Sequence, residues 1–279
     1  MEKGKLYIVA TPIGNLKDIS DRARETLKKV DIIACEDTRI TKKLLNFLDI
    51  KGKTLISYYT HKEREKGEKL ISYLKEGKDV ALVSDAGTPN ISDPGRGILK
   101  EAFLENIKII PIPGPSSLCA AISISPFEGD YLFLSFIKEK GKKLEKFLMK
   151  HSEKKENLIF FQSPSRVKET LKILSEITPS RKLLCIRELT KIFEEITLDE
   201  CIKVYEIFKN RKEIKGEFTF ILRGKEDSTN LNPKSEEILE KFKKLKEEGY
   251  SLKESAKILS IFFETGKNKI YEILIGKRN

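Results

Sequence analysis

No apolar run in this 279-residue chain reaches the roughly 18 residues that a membrane-spanning helix needs. No transmembrane segment is therefore expected. The opening residues, MEKGKLYIVATPIG, lack the long apolar stretch of a secretory signal and reach proline and glycine early. A cytoplasmic protein with no membrane partner is the expectation. The four cysteines, Cys35, Cys119, Cys185 and Cys201, never stand at C-x-x-C spacing. Cys35, Cys119 and Cys185 have apolar neighbours and read as small core residues. The two histidines, His61 and His151, are far apart and have no second His or Cys at ligand spacing, so no metal site is expected.

Acidic residues are in the minority, 43 against 54 Lys and Arg, which leaves a formal charge of +11. That excess favours a polyanionic partner such as RNA, although abundant Lys and Glu also suit a heat-adapted source. The charge is uneven: eight lysines fall between Lys138 and Lys155, around Gly141. They read either as a solvated helix face or as a nucleic-acid surface.

Apolar residues make up 39% of the chain and charged residues 35%, as in a globular protein. From the start to about Pro113, strand and helix patterns alternate. Strands are expected at 6–10, 31–35, 54–57, 80–83 and 107–112, and helices at 20–29, 38–48, 62–75 and 95–105. Ser20, Thr38 and Ser92 are plausible cap or near-cap residues. Such alternation argues for a mostly parallel sheet covered by helices. A helix at 115–124 and the segment 125–130 lead to a second α/β unit. Its strands are expected at 131–135, 158–161, 183–187, 192–197 and 217–222, with at least one antiparallel pairing. Its helices are expected near 142–150, 165–177 and 198–209. After the polar segment 224–233 come three helical patterns, at 236–248, 251–263 and 267–275. The expected organisation is an N-terminal α/β domain at 1–113, a second at 114–224 and a helical module at 234–279.

Three strands run into loops rich in Pro, Gly, Ser and Thr. LYIVA leads into Thr11-Pro12-Ile13-Gly14-Asn15, DVALV into Ser84 to Gly95, and IKIIPI into Pro113-Gly114-Pro115-Ser116-Ser117. Pro115 suits a first helical turn, and Ser116 and Ser117 offer hydroxyls and backbone N–H groups. In open α/β sheets ligands sit beyond the carboxyl ends of strands, where these loops belong. Main-chain donors and acceptors of this kind suit a polar organic cofactor better than a metal.

Seven motifs in order carry a resemblance: LYIVATPIGNLKDIS, CEDTR, LVSDAGTPNISDPG, PIPGPSS, FFQSPSR, RELTKIFEE and GEFTFIL, over about residues 5–223. The chain resembles the tetrapyrrole methylase superfamily. Within it, the resemblance is to the branch that methylates a cytidine ribose at its 2′-oxygen in 16S RNA of the small ribosomal subunit. The family fold is two α/β domains with S-adenosylmethionine (AdoMet) in the cleft between them, and no G-x-G-x-x-G follows the first strand here. The glycine-poor TPIG loop, and Ser84-Asp85-Ala86 where corrin-ring enzymes carry Gly-Asp-Pro, favour the RNA branch. The resemblance also implies a homodimer.

By position, the resemblance implies AdoMet contacts from Pro12, Ile13, Asp85, Ala86, Thr88, Ser117, Leu118, Phe161, Gln162 and Leu189. Asp85 faces the ligand or caps its own turn. Methylation of a ribose hydroxyl needs alignment with the sulfonium methyl and a route for the proton. Candidate groups are Glu36, Asp37 and Arg39 in EDTR, and Glu188 and Lys191 in RELTK. Arg39 is a candidate for a bidentate phosphate contact, or else Asp37 and Arg39 pair locally at a helix start. Tyr58, Tyr59 and His61 stack on a base or contact phosphate, or else the two tyrosines simply pack at a strand end. Two competing readings remain: a methylase of a small tetrapyrrole-like molecule, and a non-catalytic RNA- or ribosome-binding protein.

Overall fold

A computed structural model describes residues 2–58, 63–225 and 235–275. Tyr59 and His61 lie outside the described residues. Clustering of the chain gives one compact unit through Gly224 and another from Lys225 onward.

The first sheet of the larger unit holds β1 (Leu6–Val9), β2 (Ile32–Cys35), β3 (Thr54–Ser57), β4 (Val80–Val83) and β5 (Ile109–Ile112). Their order is β3-β2-β4-β1-β5, and every pairing is parallel. β1, β2 and β4 are short apolar runs buried almost throughout, as a sheet covered on both faces requires. β5 contains Pro111, which an edge strand tolerates because one of its sides donates to nothing. The crossovers are α1 (Asp21–Lys29), α2 (Thr38–Phe47), α3 (Glu63–Lys75) and α4 (Arg96–Leu104). Two buried clusters fill the two faces, one around Val9, Leu27, Ile33 and Leu45, the other around Leu6, Leu70, Leu82 and Ile98.

α5 (Ser117–Ser123) leads to a second sheet made of β6 (Tyr131–Phe136), β7 (Asn157–Gln162), β8 (Lys182–Arg187), β9 (Glu195–Glu200) and β10 (Phe218–Leu222). The order is β6-β7-β10-β8-β9, parallel between β6 and β7 and antiparallel elsewhere. Both neighbours of β10 run against it, so β6, β7 and β8 end at the sheet edge where β10 begins. α6 (Lys142–Ser152), α7 (Val167–Ile177) and α8 (Cys201–Lys209) complete this part, around a core of Phe160, Leu171, Phe208 and Phe220.

The second unit is α9 (Ser235–Glu247), α10 (Leu252–Phe262) and α11 (Lys267–Ile275), with its own core of Ile238, Ala256, Leu259 and Ile270. Ser251 and Glu254 form a reciprocal capping box at the start of α10. Among the described residues no helix is long and apolar enough to cross a membrane.

Several expectations are corrected. The strand expected at 192–197 is β9, three residues later, because Ile192 and Phe193 lie exposed in the preceding turn. Cys119 is exposed on α5, whereas Cys35, Cys185 and Cys201 are buried. Pro115 precedes the Ser116 cap of α5 rather than entering its first turn. Gly95, not Ser92, stands at the cap of α4, whereas Thr38 is a near-cap residue as expected, directly after the Asp37 cap of α2. Tyr58 is 1% exposed and its hydroxyl accepts a bond from the Ile98 N–H, so it is a core residue and stacks on no base.

Candidate active site

The order of the first sheet decides which loops meet. β4, β1 and β5 are adjacent, so the three special loops leave the same edge side by side. They are stitched together. Thr11 and Gly87 exchange both backbone hydrogen bonds, at 2.9 and 3.0 Å, and the Thr11 hydroxyl donates to the Ser84 carbonyl at 3.0 Å. The Thr88 hydroxyl donates to the Pro115 carbonyl at 3.1 Å. Gly87 has φ +83°, and a Cβ there would press on Ile13 at 3.2 Å, so this turn suits glycine.

The carboxyl edge of the first sheet faces the corresponding edge of the second, and a cavity of 370 Å³ lies between them. That size falls within the usual range for small-molecule sites, about 300–1,000 Å³. Contacts across the cleft hold the edges together. The Ser92 and Ser135 hydroxyls bond at 3.0 Å, and the Asn15 N–H donates to the Thr190 hydroxyl at 3.2 Å. Close approach at Gly14 is part of this clasp, because a Cβ there would fall 2.5 Å from Lys191 Cγ and 2.6 Å from Thr190 Oγ1.

Of the residues expected at a cofactor, Ile13, Asp85, Ala86, Thr88, Ser117, Phe161, Gln162 and Leu189 line the cavity. Pro12 is buried beside it without lining it, and Leu118 packs into the cluster beneath, with Ile159 and Ile186. Gln162 is committed within the protein, its amide donating to the Thr170 hydroxyl and its side-chain oxygen accepting from the Ser163 N–H.

Of the groups expected to do chemistry, Glu36 lines the cavity and the others do not. Asp37 accepts from the Arg39 N–H at 2.8 Å and binds the Arg39 guanidinium at 2.6 to 3.1 Å. This is the helix-start pair that the sequence left as an alternative. The Arg39 side chain bond, then its backbone bond, hold the Asp37 carboxyl down at about 2. Lys191 is pinned between Glu188 at 2.9 Å and Glu217 at 3.0 Å. Burial works against its charge, yet these bonds outweigh burial and raise its pKa, so it is no ready base.

Sequence reasoning passed over Asp93 and Glu217, which also line the cavity. Asp93 stands in the LVSDAGTPNISDPG motif and Glu217 in GEFTFIL. The available signal was an acid directly beside a proline or glycine inside one of the motifs. Four carboxylates, Glu36, Asp85, Asp93 and Glu217, therefore face one cavity, and no Lys, Arg or His is among its lining residues. Burial, then mutual repulsion, raises Glu36. Burial raises Asp85 against the 2.9 Å bond it accepts from the Asp37 N–H. Asp93 is pushed up to about 6 by burial and then by Glu36, Asp85 and Glu217. Such a lining repels phosphates and attracts a cation.

The family model for Tetrapyrrole (Corrin/Porphyrin) Methylases matches residues 5–201. The chain belongs to this family. Its curated relatives include the protein named ribosomal RNA small subunit methyltransferase I of Halalkalibacterium halodurans, 45% identical over 80% of this chain and 77% of that protein. The Thermotoga maritima protein of the same name is 43% identical over 80% of this chain and all of its own length. The Neisseria meningitidis serogroup B protein of that name is 34% identical over 99% of this chain and 94% of its own. Among solved structures, a diphthine synthase superposes with a TM-score of 0.59 at 17% identity, covering 79% of this chain and 90% of that one. A uroporphyrin-III C-methyltransferase from Thermus thermophilus, complexed with S-adenosyl homocysteine, gives 0.55 at 17% identity, covering 79% of this chain and 97% of that one. These likenesses show the fold.

The family's cofactor is AdoMet. The donor set fits it: a sulfonium and an ammonium suit a cavity of carboxylates, and Ile13, Phe161 and Leu189 would supply apolar walls for adenine. Ala86, Gly87 and Ser117 would offer polar backbone to the methionine end. When bound, the cofactor would supply an electrophilic methyl group, and the residues lining the cavity would orient it and keep water out.

Proposed function

We propose that this chain transfers a methyl group from AdoMet to small-subunit ribosomal RNA, at a cytidine ribose 2′-oxygen. The observation that carries the reading is the cation-seeking cavity in a member of this family whose relatives bear an rRNA methyltransferase name. Lys138 to Lys155 add to it. On α6, Leu144 and Leu148 turn inward, while Lys142, Lys143, Lys146 and Lys150 are exposed. This segment begins two residues after Phe136, which lines the cavity. Arg166 braces the junction: its guanidinium lies 5.8 Å from the Phe136 ring centroid and donates to the Ser163 hydroxyl and the Glu139 carbonyl. A cationic rim beside an anionic cavity suits a polyanion whose one nucleotide enters while its phosphates stay outside.

A second copy of this chain is proposed as a further partner. β9 is an edge strand, and it exposes Ile196 and Leu198 on one face, close in sequence to exposed Ile192 and Phe193. Sedimentation would give a dimer, and Phe193→Asp would shift it toward monomer.

The test of function is methyl transfer from labelled AdoMet to purified small subunits lacking the modification, with the labelled nucleotide mapped. Label on one cytidine 2′-oxygen is expected. Label on a small tetrapyrrole-like acceptor and none on subunits would replace the reading.

A further inference from the structure

The proposed reaction needs a proton acceptor, and two of the other three cavity acids are already engaged. Asp85 accepts the Asp37 N–H, and Glu217 is bound to Lys191. Glu36 also lines the cavity, but from the end of β2, within the first sheet's own edge. Asp93 differs. It follows Ser92, whose hydroxyl bonds that of Ser135 on the second sheet, and it lines the cavity, so it lies where the two edges face each other. Its loop is fixed on both sides, by the Ser92–Ser135 bond across the cleft and by Gly95 at the start of α4, with φ +154°. Among the described residues it has no hydrogen bond and no ion pair, although it lines the cavity.

From this placement we infer that Asp93 is the proton acceptor for the attacking hydroxyl. The inference rests on the ribose reading above. The hydroxyl oxygen forms a bond to the methyl carbon as the carbon–sulfur bond breaks. The electron pair of that bond passes to sulfur, leaving a neutral thioether. The hydroxyl proton moves to the Asp93 carboxylate and leaves later to water. Burial and three surrounding carboxylates make Asp93 a stronger base than an ordinary aspartate while leaving it ionised above about pH 6.

The test compares the full-length chain with Asp93→Asn, which is close in shape. AdoMet is still expected to bind in calorimetry, less tightly for the loss of one of the four carboxylates, which shows that the variant folds and binds. Turnover on unmodified small subunits is expected to fall roughly 10²- to 10⁴-fold. For the unchanged protein, kcat is expected to drop as pH falls through about 6, and Asp93→Asn should lose that dependence. Near-normal turnover of Asp93→Asn, or an unchanged pH profile, overturns the inference. So does an effect confined to the KM for AdoMet, which would make Asp93 a cofactor contact. Label on a base rather than a ribose, given by the unchanged protein, overturns the ribose reading and this inference together. Label on the ribose with undiminished Asp93→Asn turnover overturns only this inference.

Discussion

Asp37 and Asp93 leave the same edge of the first sheet in opposite electrostatic states. Asp37 is wrapped by the Arg39 backbone and guanidinium and held at about 2. Asp93 has three carboxylates around it and is pushed to about 6. The difference lies in what each loop supplies. CEDTR brings its own cation two residues away and uses its acid to start a helix. The Ser84–Gly95 loop supplies turns, apolar cover and no cation, so its acid stays unpaired and faces the cavity. An acid next to an arginine catches the eye in a sequence, but here the pairing is what removes it from the chemistry.

The largest effect should come from Asp93→Asn, which is expected to lose turnover while keeping AdoMet binding. The same variant carries a stability signature. Because the folded pKa is raised, the folded form binds the proton more tightly than the unfolded one. Stability therefore falls as pH rises from about 4 through about 6. Asp93→Asn should melt higher than the unchanged protein at pH 8 and much like it at pH 4, as scanning calorimetry would show. A lower melting point at pH 8 would mean that Asp93 has a partner.

Gly216→Ala should come next. Gly216 lines the cavity at φ +99°, and a Cβ there would lie 2.5 Å from Glu188 Cγ. Backbone strain alone costs about 1–3 kcal/mol, and the Glu188–Lys191 clasp must also shift. Weaker AdoMet binding by calorimetry is the expected result. Replacing Lys142, Lys143 and Lys146 with Gln should weaken subunit binding and flatten its salt dependence, by a slope of about 0.7–0.9 for each phosphate left unneutralised. AdoMet affinity should not change, which separates rim from cavity.

Asp37→Ala should have the smallest effect on turnover, since its carboxylate only caps α2. Its cost should fall on stability instead. A depressed pKa contributes above about pH 4, and that contribution disappears as pH falls toward 2. Melting of Asp37→Ala and the unchanged protein should therefore converge in acid. A collapse of turnover in Asp37→Ala would break the comparison and return EDTR to the chemistry.

Much of the frame was legible in the sequence because its signals are local. Short apolar strands ending in Pro/Gly loops mark β1, β4 and β5, and the Ser20 cap of α1 stands where its spacing put it. Residues such as Ala86 and Thr88 could be placed near a cleft through the family resemblance that the motifs carry. What local pattern could not give was partnership. Ile192 and Phe193 have the composition of a strand but lie on the surface, which displaced β9. Tyr58 resembled a stacking group until Ile98, forty residues away, took its hydroxyl. Lys191 resembled a catalytic cation, yet one of its carboxylate partners, Glu217, arrives just ahead of β10. The isolation of Asp93 depends on Glu36, Asp85 and Glu217 meeting in space, and no spacing along the chain encodes that.

The contrast between the two aspartates can be read without substrate, by following side-chain carboxyl carbons by NMR in protein carrying labelled aspartate. Asp37→Asn and Asp93→Asn would assign the two signals. The account predicts one signal titrating near 6, absent in Asp93→Asn, and another near 2, absent in Asp37→Asn. An Asp93 signal that titrates near 4 would mean that the cavity does not isolate this carboxylate. That result would contradict its assignment as the proton acceptor.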